Sequence, residues 1–487
     1  MVGKQAGVWI ATAAIAYSVN LSEAGYFHET RQDHFDGSND NLWQQEYFVN
    51  DTFWKGPSSG APVFLCVGGE GPALDDSVTS ASVHCNDAVE WLEETGALFL
   101  ALQHRYYGCQ SNSTACPVEY PIQEVKDMRF LSSRQALEDI ALFHMHMVEE
   151  FHLTPTNRWV TFGGSYPGML AAFARSKYPH LFYAAVSSSS PVQAALEMPG
   201  YYDYAARAYS EESVGGSQEC RAKIALGHKQ IGNIFDSKNA TKLSELEEQF
   251  SLNSGALDSL DGQRNFAGNG VADFPSQGND PLCSTPSCNI KEICKTMLRP
   301  ELEPVVALAT VRKEQQTQSF SSREQMRPRL GASNILETDL WSWQVCTEFG
   351  YLQTCNIGSE CMFTQGLVTL DYMFTSSCSM YGFNDIERTA AAVVRSNVEY
   401  GGISITTPRI LWIGGTVDPW LALSVQHLSK EQVHADQRML LVLGASHHAW
   451  THPTDAHDQS SVQDARDYLR HVVGHWLKEA ESRSALA

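Results

Sequence analysis

The sequence predicts an α/β fold: a largely parallel sheet covered on both faces by helices, with a large, mostly helical insertion. Three observations predict it. Short apolar runs of strand length alternate with segments of helical periodicity, the pattern of parallel strands joined by crossover helices. The runs end in turns rich in glycine or serine, which sets any chemistry at the carboxyl ends of the strands. The alternation stops after Pro191 and resumes only near Arg409.

Each element follows in order. Lys4 precedes an apolar run from Ala6 to Val19, and Ala14-Ile15-Ala16 has the small-residue pattern of a cleavage site. Residues 1–16 therefore read as a signal peptide, cleaved between 16 and 25. The run is short for a membrane span, and no later segment supplies one; an uncleaved anchor is the alternative. The first part of the α/β domain is expected over 26–195. It begins with an antiparallel strand at Trp43–Val49. Four buried runs come next. Pro62–Val67 ends in Gly68-Gly69-Glu70-Gly71-Pro72, and Ala97–Leu102 ends in Gln103–Gly108. Trp159–Phe162 ends in Gly163-Gly164-Ser165, and Tyr183–Val186 ends in four serines and Pro191. The clearest helix is Ser133–Val148. Residues 196–392 lack strand-like runs, hold eight of the twelve cysteines and read as the helical insertion. The α/β pattern returns over 393–487. Arg409–Ile413 leads to Asp418-Pro419-Trp420, Met439–Leu443 leads to Ser446-His447-His448, and Ser461–Lys478 closes the chain as a helix.

Bulk properties exclude several functions. The formal net charge of −22 excludes nucleic acid as a partner, because a phosphate backbone needs a basic face. It also disfavours an anionic membrane surface, and it suits an acidic compartment, where part of the charge is neutralised. Twelve cysteines, an even number behind a leader, point to disulfides and the secretory route. No Cys-x-x-Cys pair appears, so neither a zinc site nor a thioredoxin-type motif is expected. Glycosylation sequons stand at Asn50, Asn112 and Asn239, with another at Asn20 within reach of leader cleavage.

The chemistry centres on Arg158–Leu170. An apolar strand runs into two glycines, a serine and a small-residue helix, which is the pattern of a nucleophile elbow. Pro167 stands where G-x-S-x-G has its last glycine. Asp418 follows a later strand, and His447 and His448 follow the last. The order Ser…Asp…His is that of the α/β-hydrolase fold. Taken singly, an Asp-Pro-Trp turn, a His-His pair and a glycine turn are ordinary features; their order after successive strands makes the case. A serine hydroxyl needs a base, the imidazole takes its proton, and the carboxylate fixes the imidazole tautomer. An oxyanion hole is expected from the N–H of Tyr166 and that of Gly69 or Glu70.

At this point the chain resembles the serine carboxypeptidase family S28, nearest its thymus-specific branch. The residues carrying the resemblance are Gly68–Pro72, His104–Gly108, Arg129–Ser133, Gly163–Met169, Trp343–Gly350, Val417–Trp420 and Ala445–His447. The resemblance implies a serine-type peptidase, a Pro-X carboxypeptidase or dipeptidyl peptidase, secreted or lysosomal. It implies that the insertion is a specificity cap. It also implies that His447, not His448, is the base, and that Met169 and Trp420 lie beside a proline pocket. An apolar wall does suit a pyrrolidine ring, although both residues equally suit a core. Expected partners are peptides with proline near one terminus and, as a homodimer, a second copy of the chain; no metal and no cofactor are expected. A non-catalytic secreted binding protein on the same scaffold, or an esterase, is the competing reading, and the intact triad types count against the first. Which chain end is cleaved stays open. A free amino end needs a carboxylate and a free carboxyl end needs a cation; Glu70, Glu348 and Arg105 are all eligible by charge.

Overall fold

The computed structural model describes residues 24–109, 112–322 and 340–485. The expected leader at 1–16 and the Asn20 sequon lie outside the described residues. In chain order the strands are β1 (Gly25–Arg31), β2 (Leu42–Asn50), β3 (Val63–Val67), β4 (Leu98–Leu102), β5 (Trp159–Gly164), β6 (Ala184–Ser188), β7 (Ala195–Glu197), β8 (Gly350–Leu352), β9 (Ile410–Gly415) and β10 (Arg438–Val442).

Eight of them form one sheet in the order β1-β2-β4-β3-β5-β6-β9-β10. β1 and β2 pair antiparallel, as do β2 and β4; every later pair is parallel. The parallel strands read as unbroken apolar runs because both faces are covered. Alternate residues go to opposite sides. Val63, Leu65, Leu98 and Leu100 face a core shared with the helices Ser133–Glu150 and Tyr166–Lys177. Phe64, Cys66, Phe99 and Ala101 face a core shared with Trp91 and the C-terminal helix Ser460–Ala485. This is an α/β-hydrolase fold. β1 was not legible in advance, since Gly25–Arg31 alternates poorly and is held by register to β2.

Among the described residues between β6 and β9 the chain builds helices and two short strands, the parallel pair β7 and β8. The helical residues form two cores. One runs from Tyr202 to Val368 and takes in Val417, beside Asp418, from the α/β part. The other joins Leu340, Val345, Phe374 and Phe383 to Tyr106, Tyr107 and Phe130 of the α/β part. The helix Ile386–Tyr400 crosses the expected boundary at 392, and its Val393 and Tyr400 sit in the main core. All twelve cysteines are paired: Cys66–Cys85, Cys109–Cys116, Cys220–Cys294, Cys283–Cys288, Cys346–Cys378 and Cys355–Cys361.

Candidate active site

β5 ends at Gly164, and the elbow helix begins one residue beyond Ser165. The reversal leaves Ser165 at φ 64° and ψ −132°, a conformation that costs a non-glycine residue about 1–3 kcal/mol. Its N–H is held by the Ser188 carbonyl at 2.9 Å. Gly163 cannot carry a side chain, because a Cβ there would lie 2.4 Å from the Pro167 carbonyl. Pro167 itself accounts for the departure from G-x-S-x-G. In the first helical turn proline has no N–H to lose. Its ring packs where a Cβ on Gly69 would be, 2.3 Å from Pro167 Cγ. The proline thus seats the glycine-rich turn after β3 directly on the elbow.

Asp418 and His447 come from the ends of β9 and β10 and meet. His447 Nδ1 lies 2.8 Å from Asp418 Oδ2. Asp418 is wholly buried, His447 nearly so. The other carboxylate oxygen accepts the Trp420 N–H at 3.0 Å, which orients the carboxylate before any imidazole approaches. His447 Nε2 is buried with no hydrogen-bond partner. His448 turns away: its N–H bonds Ser189 Oγ at 2.9 Å and its Nδ1 faces Thr451 Oγ1 at 3.1 Å. Burial, then the neighbouring charges of His447, His452 and His84, push His448 well below the ordinary imidazole range.

Glu70 is the common neighbour of Ser165 and His447. The N–H of Glu70 itself, the Ser165 hydroxyl, the charge of His447 and the N–H of Tyr166 all favour its ionised form. Two backbone N–H groups, those of Glu70 and Tyr166, thus act on one carboxyl beside Ser165. Burial pushes the Glu70 carboxyl above the usual range against those bonds, and one of its oxygens has no partner. In this arrangement Ser165 faces Glu70, and the Ser165–His447 hydrogen bond is not formed.

The apolar wall is aromatic. Trp420 stands 6.4 Å from the His447 ring and packs edge-on against Tyr351 and Tyr201. Met169 is fully buried and lies behind Tyr351, with Sδ 3.8 Å from the tyrosine hydroxyl. Gln277 ties the insertion to His447 and Trp420: its Oε1 accepts from Trp420 Nε1 at 2.9 Å and Tyr201 Oη at 3.0 Å, and its carbonyl accepts the His447 N–H at 3.1 Å. A cavity of about 400 Å³ opens beyond Tyr201 and Gln277 toward Phe274 and Phe363. A larger one, about 720 Å³, lies against the C-terminal helix with none of these residues in its lining. Tyr201 and Gln277 carry no local signal in the sequence. Tyr351 directly follows the Cys346–Gly350 stretch and was within reach.

Two of the three charged candidates are engaged elsewhere. Arg105 is wholly buried and grips Asp139 with two bonds of 2.6 Å. Glu348 is buried against Ser133 and Gln344. Only Glu70 stands at the site.

Comparison with known proteins then decides the class. A model of the serine carboxypeptidase S28 family matches residues 30–469. The chain belongs to that family. Thymus-specific serine protease from Homo sapiens is 30% identical, over 95% of this chain and 88% of the relative. Lysosomal Pro-X carboxypeptidase from Bos taurus is 24% identical, over 96% and 89%. Among solved structures, a proline iminopeptidase from Mycobacterium smegmatis aligns over 90% of this chain and 97% of its own at 13% identity, with a TM-score of 0.37. As a member of the S28 family the chain is a serine-type peptidase, and peptides are its substrates. Its six disulfides suit the secretory or lysosomal route. Among the described residues no helix is long and apolar enough to cross a membrane.

Proposed function

We propose that this S28 peptidase is an exopeptidase that cleaves next to proline through Ser165, His447 and Asp418, by way of an acyl-enzyme. The observation that carries the reading is the buried Asp418–His447 hydrogen bond with a bare Nε2, sharing Glu70 as a neighbour with Ser165. Ser165 Oγ attacks the peptide carbonyl as His447 Nε2 takes its proton. Asp418 holds the other ring nitrogen protonated and stabilises the imidazolium. The carbonyl oxygen, now negative, displaces the Glu70 carboxyl and takes the N–H groups of Tyr166 and Glu70. His447 gives its proton to the leaving amine, and water then repeats the sequence on the acyl-enzyme.

Trp420 and Tyr351 offer flat apolar walls to a pyrrolidine ring, with Met169 behind them; such a ring has no N–H to satisfy. Residues 196–392 serve as the cap that brings Tyr201 and Gln277 to this edge. Glu70 is the charged candidate left at the site. A carboxylate selects an ammonium, so substrates with a free amino end are favoured. Secretion or lysosomal delivery belongs to the same reading. Of the sequons, Asn239 is exposed and is the expected glycan carrier. The amide nitrogens of Asn50 and Asn112 are engaged by Thr79 O at 2.7 Å and Tyr26 Oη at 3.0 Å.

The test is direct. A fluorophosphonate should label Ser165, and a proline-containing peptide library, free or blocked at either end, should be cut only next to proline. Products that ignore proline, or equal turnover of acetylated and free peptides, would remove the specificity while leaving the triad.

A further inference from the structure

Glu348 is a buried carboxylate for which no step above has a use. Among the described residues no lysine, arginine or histidine pairs with it; every close partner is a neutral donor. Ser133 N–H approaches its two oxygens at 3.1 and 2.9 Å, the Ser133 hydroxyl bonds it closely, and Gln344 Nε2 lies 3.0 Å away. Ser133 opens the helix Ser133–Glu150, so the carboxylate caps the positive end of a helix dipole. Glu348 is also carried on a π-helical turn, Val345–Phe349, a geometry found mostly at functional sites.

The polarity of each link running from Glu348 to the elbow can be assigned. His104 Nδ1 lies 2.7 Å from the Arg105 carbonyl, which can only accept, so Nδ1 carries the hydrogen. Burial holds that ring down to about 4, which leaves Nε2 bare. Nε2 therefore accepts from the Tyr166 hydroxyl at 3.1 Å. That hydroxyl accepts in turn from Gln344 Nε2 at 3.0 Å. The Gln344 carbonyl oxygen takes the Tyr107 hydroxyl at 2.6 Å. The two N–H bonds of the Gln344 amide thus go to Tyr166 and Glu348. Once Glu348 is ionised, a flipped amide would set its oxygen against the carboxylate, so the ionised Glu348 locks the amide and the amide locks the tyrosine. Tyr166 is the residue after Ser165, and its own N–H favours the ionised form of the Glu70 carboxyl beside that serine.

We propose that Glu348 and Gln344 are positioning residues of the active site: acting through the buried Tyr166 side chain, they hold the Tyr166 peptide N–H where the oxyanion forms. The proposal rests on the Ser165 reading given above. It assigns a role to the Cys346-Thr347-Glu348-Phe349-Gly350 stretch, which no general requirement of the fold explains.

The experiment is a double-mutant cycle on the full chain with Glu348→Gln and Tyr166→Phe, run at pH 8, above the value of about 7 to which burial raises Glu348. Each single variant should lower kcat on the order of 10- to 100-fold through a small misplacement of one donor, with KM within about twofold of wild type. The affinity of a peptide aldehyde, whose hemiacetal oxygen uses the same N–H, should fall by the same factor as kcat. The double variant should be no worse than the poorer single, because both act through one chain of contacts. Losses that multiply, losses in KM alone, or an unchanged kcat per fluorophosphonate-labelled site would each overturn the proposal. Should Glu348→Gln fail to fold, Tyr166→Phe still decides, since it keeps the ring and removes only the hydroxyl; wild-type kcat and aldehyde affinity there would end the proposal. Failure of the enzyme reading looks different, because wild-type protein would then take no label at Ser165.

Discussion

Two buried imidazole–carboxylate pairs lie among the described residues, and they differ in what else touches the carboxylate. His447 meets Asp418 at 2.8 Å and His34 meets Asp139 at 2.7 Å. Both carboxylates are buried. Asp139, however, also holds the two-pronged grip of Arg105, whose remaining N–H groups bond the carbonyls of Arg31, Gln32 and Phe130. Asp418 has, beside its imidazole, one neutral N–H. A carboxylate answered by a guanidinium ties strands to helices and has little field left over. One answered only by neutral donors keeps its field for the imidazole. On the proposed reading, the same pair of residue types is a fastener in one place and a base in the other.

The largest effect should come from swapping amides for these two carboxylates. Asp418→Asn should lower kcat about 10⁴-fold with the fold intact, as Ser165→Ala should lower it by on the order of 10⁴–10⁶. Asp139→Asn should instead cost about 3–5 kcal/mol in urea unfolding, because it strands a buried guanidinium. An Asp139→Asn protein with the wild-type midpoint would erase the distinction. A second expected outcome concerns pH. An imidazole must be neutral to accept a proton, so kcat/KM should rise with pH through an inflection lost in His447→Ala. The inflection should persist in His34→Ala and in His448→Ala, whose ring burial holds well below the ordinary imidazole range; a dead His448→Ala beside an active His447→Ala would exchange their roles.

The third outcome separates the buried carboxylates by sign. Burial works to raise Asp139, but the Arg105 charge and the bonds from Arg105 and His34 outweigh it and hold the group below 3.8. Its contribution to stability is present above pH 3.8 and is lost as pH falls through the lower native value. Glu348 runs the other way. Burial raises it from 4.5 to about 7, so its contribution is full below pH 4.5 and disappears as pH rises through about 7. Glu348→Gln should flatten that decline, by on the order of 3 kcal/mol over the window, measured as urea midpoints from pH 4 to 8. An unchanged slope would mean that the native carboxyl titrates normally. The smallest effect is expected for His34→Ala, a loss of about 1–2 kcal/mol for one bond to a charged group, with kcat unaltered.

How far the sequence could be read follows the same division. Ser165, Asp418 and His447 were legible because each stands just past an apolar strand, and the sheet order brings strand ends together whatever lies between them. Pro167 looked like a defect and proves to be the seat of Gly69. The charged candidates were not separable. Arg105 meets Asp139 across 34 positions, and Glu348 meets Ser133 across 215; no local pattern reports such pairings. Tyr201 and Gln277 reach the site from the insertion for the same reason. The insertion boundary failed to show at 392 because the helix there turns its apolar side to the main core while reading as one more amphipathic segment.

The bridges have a consequence for synthesis. Five of the six close loops of 32 residues or fewer, and the widest spans 74. Each can therefore form while the chain is still emerging, and none joins the insertion to β9 or β10. Those two strands arrive last, β9 on β6 and β10 on β9; until then β6 is an open sheet edge of the kind that aggregates. On the proposed reading, Ser165 is made early and its base arrives with the final strand. A nascent or truncated chain would carry the nucleophile but not the means to ionise it, so the protein stays inert until its synthesis is complete.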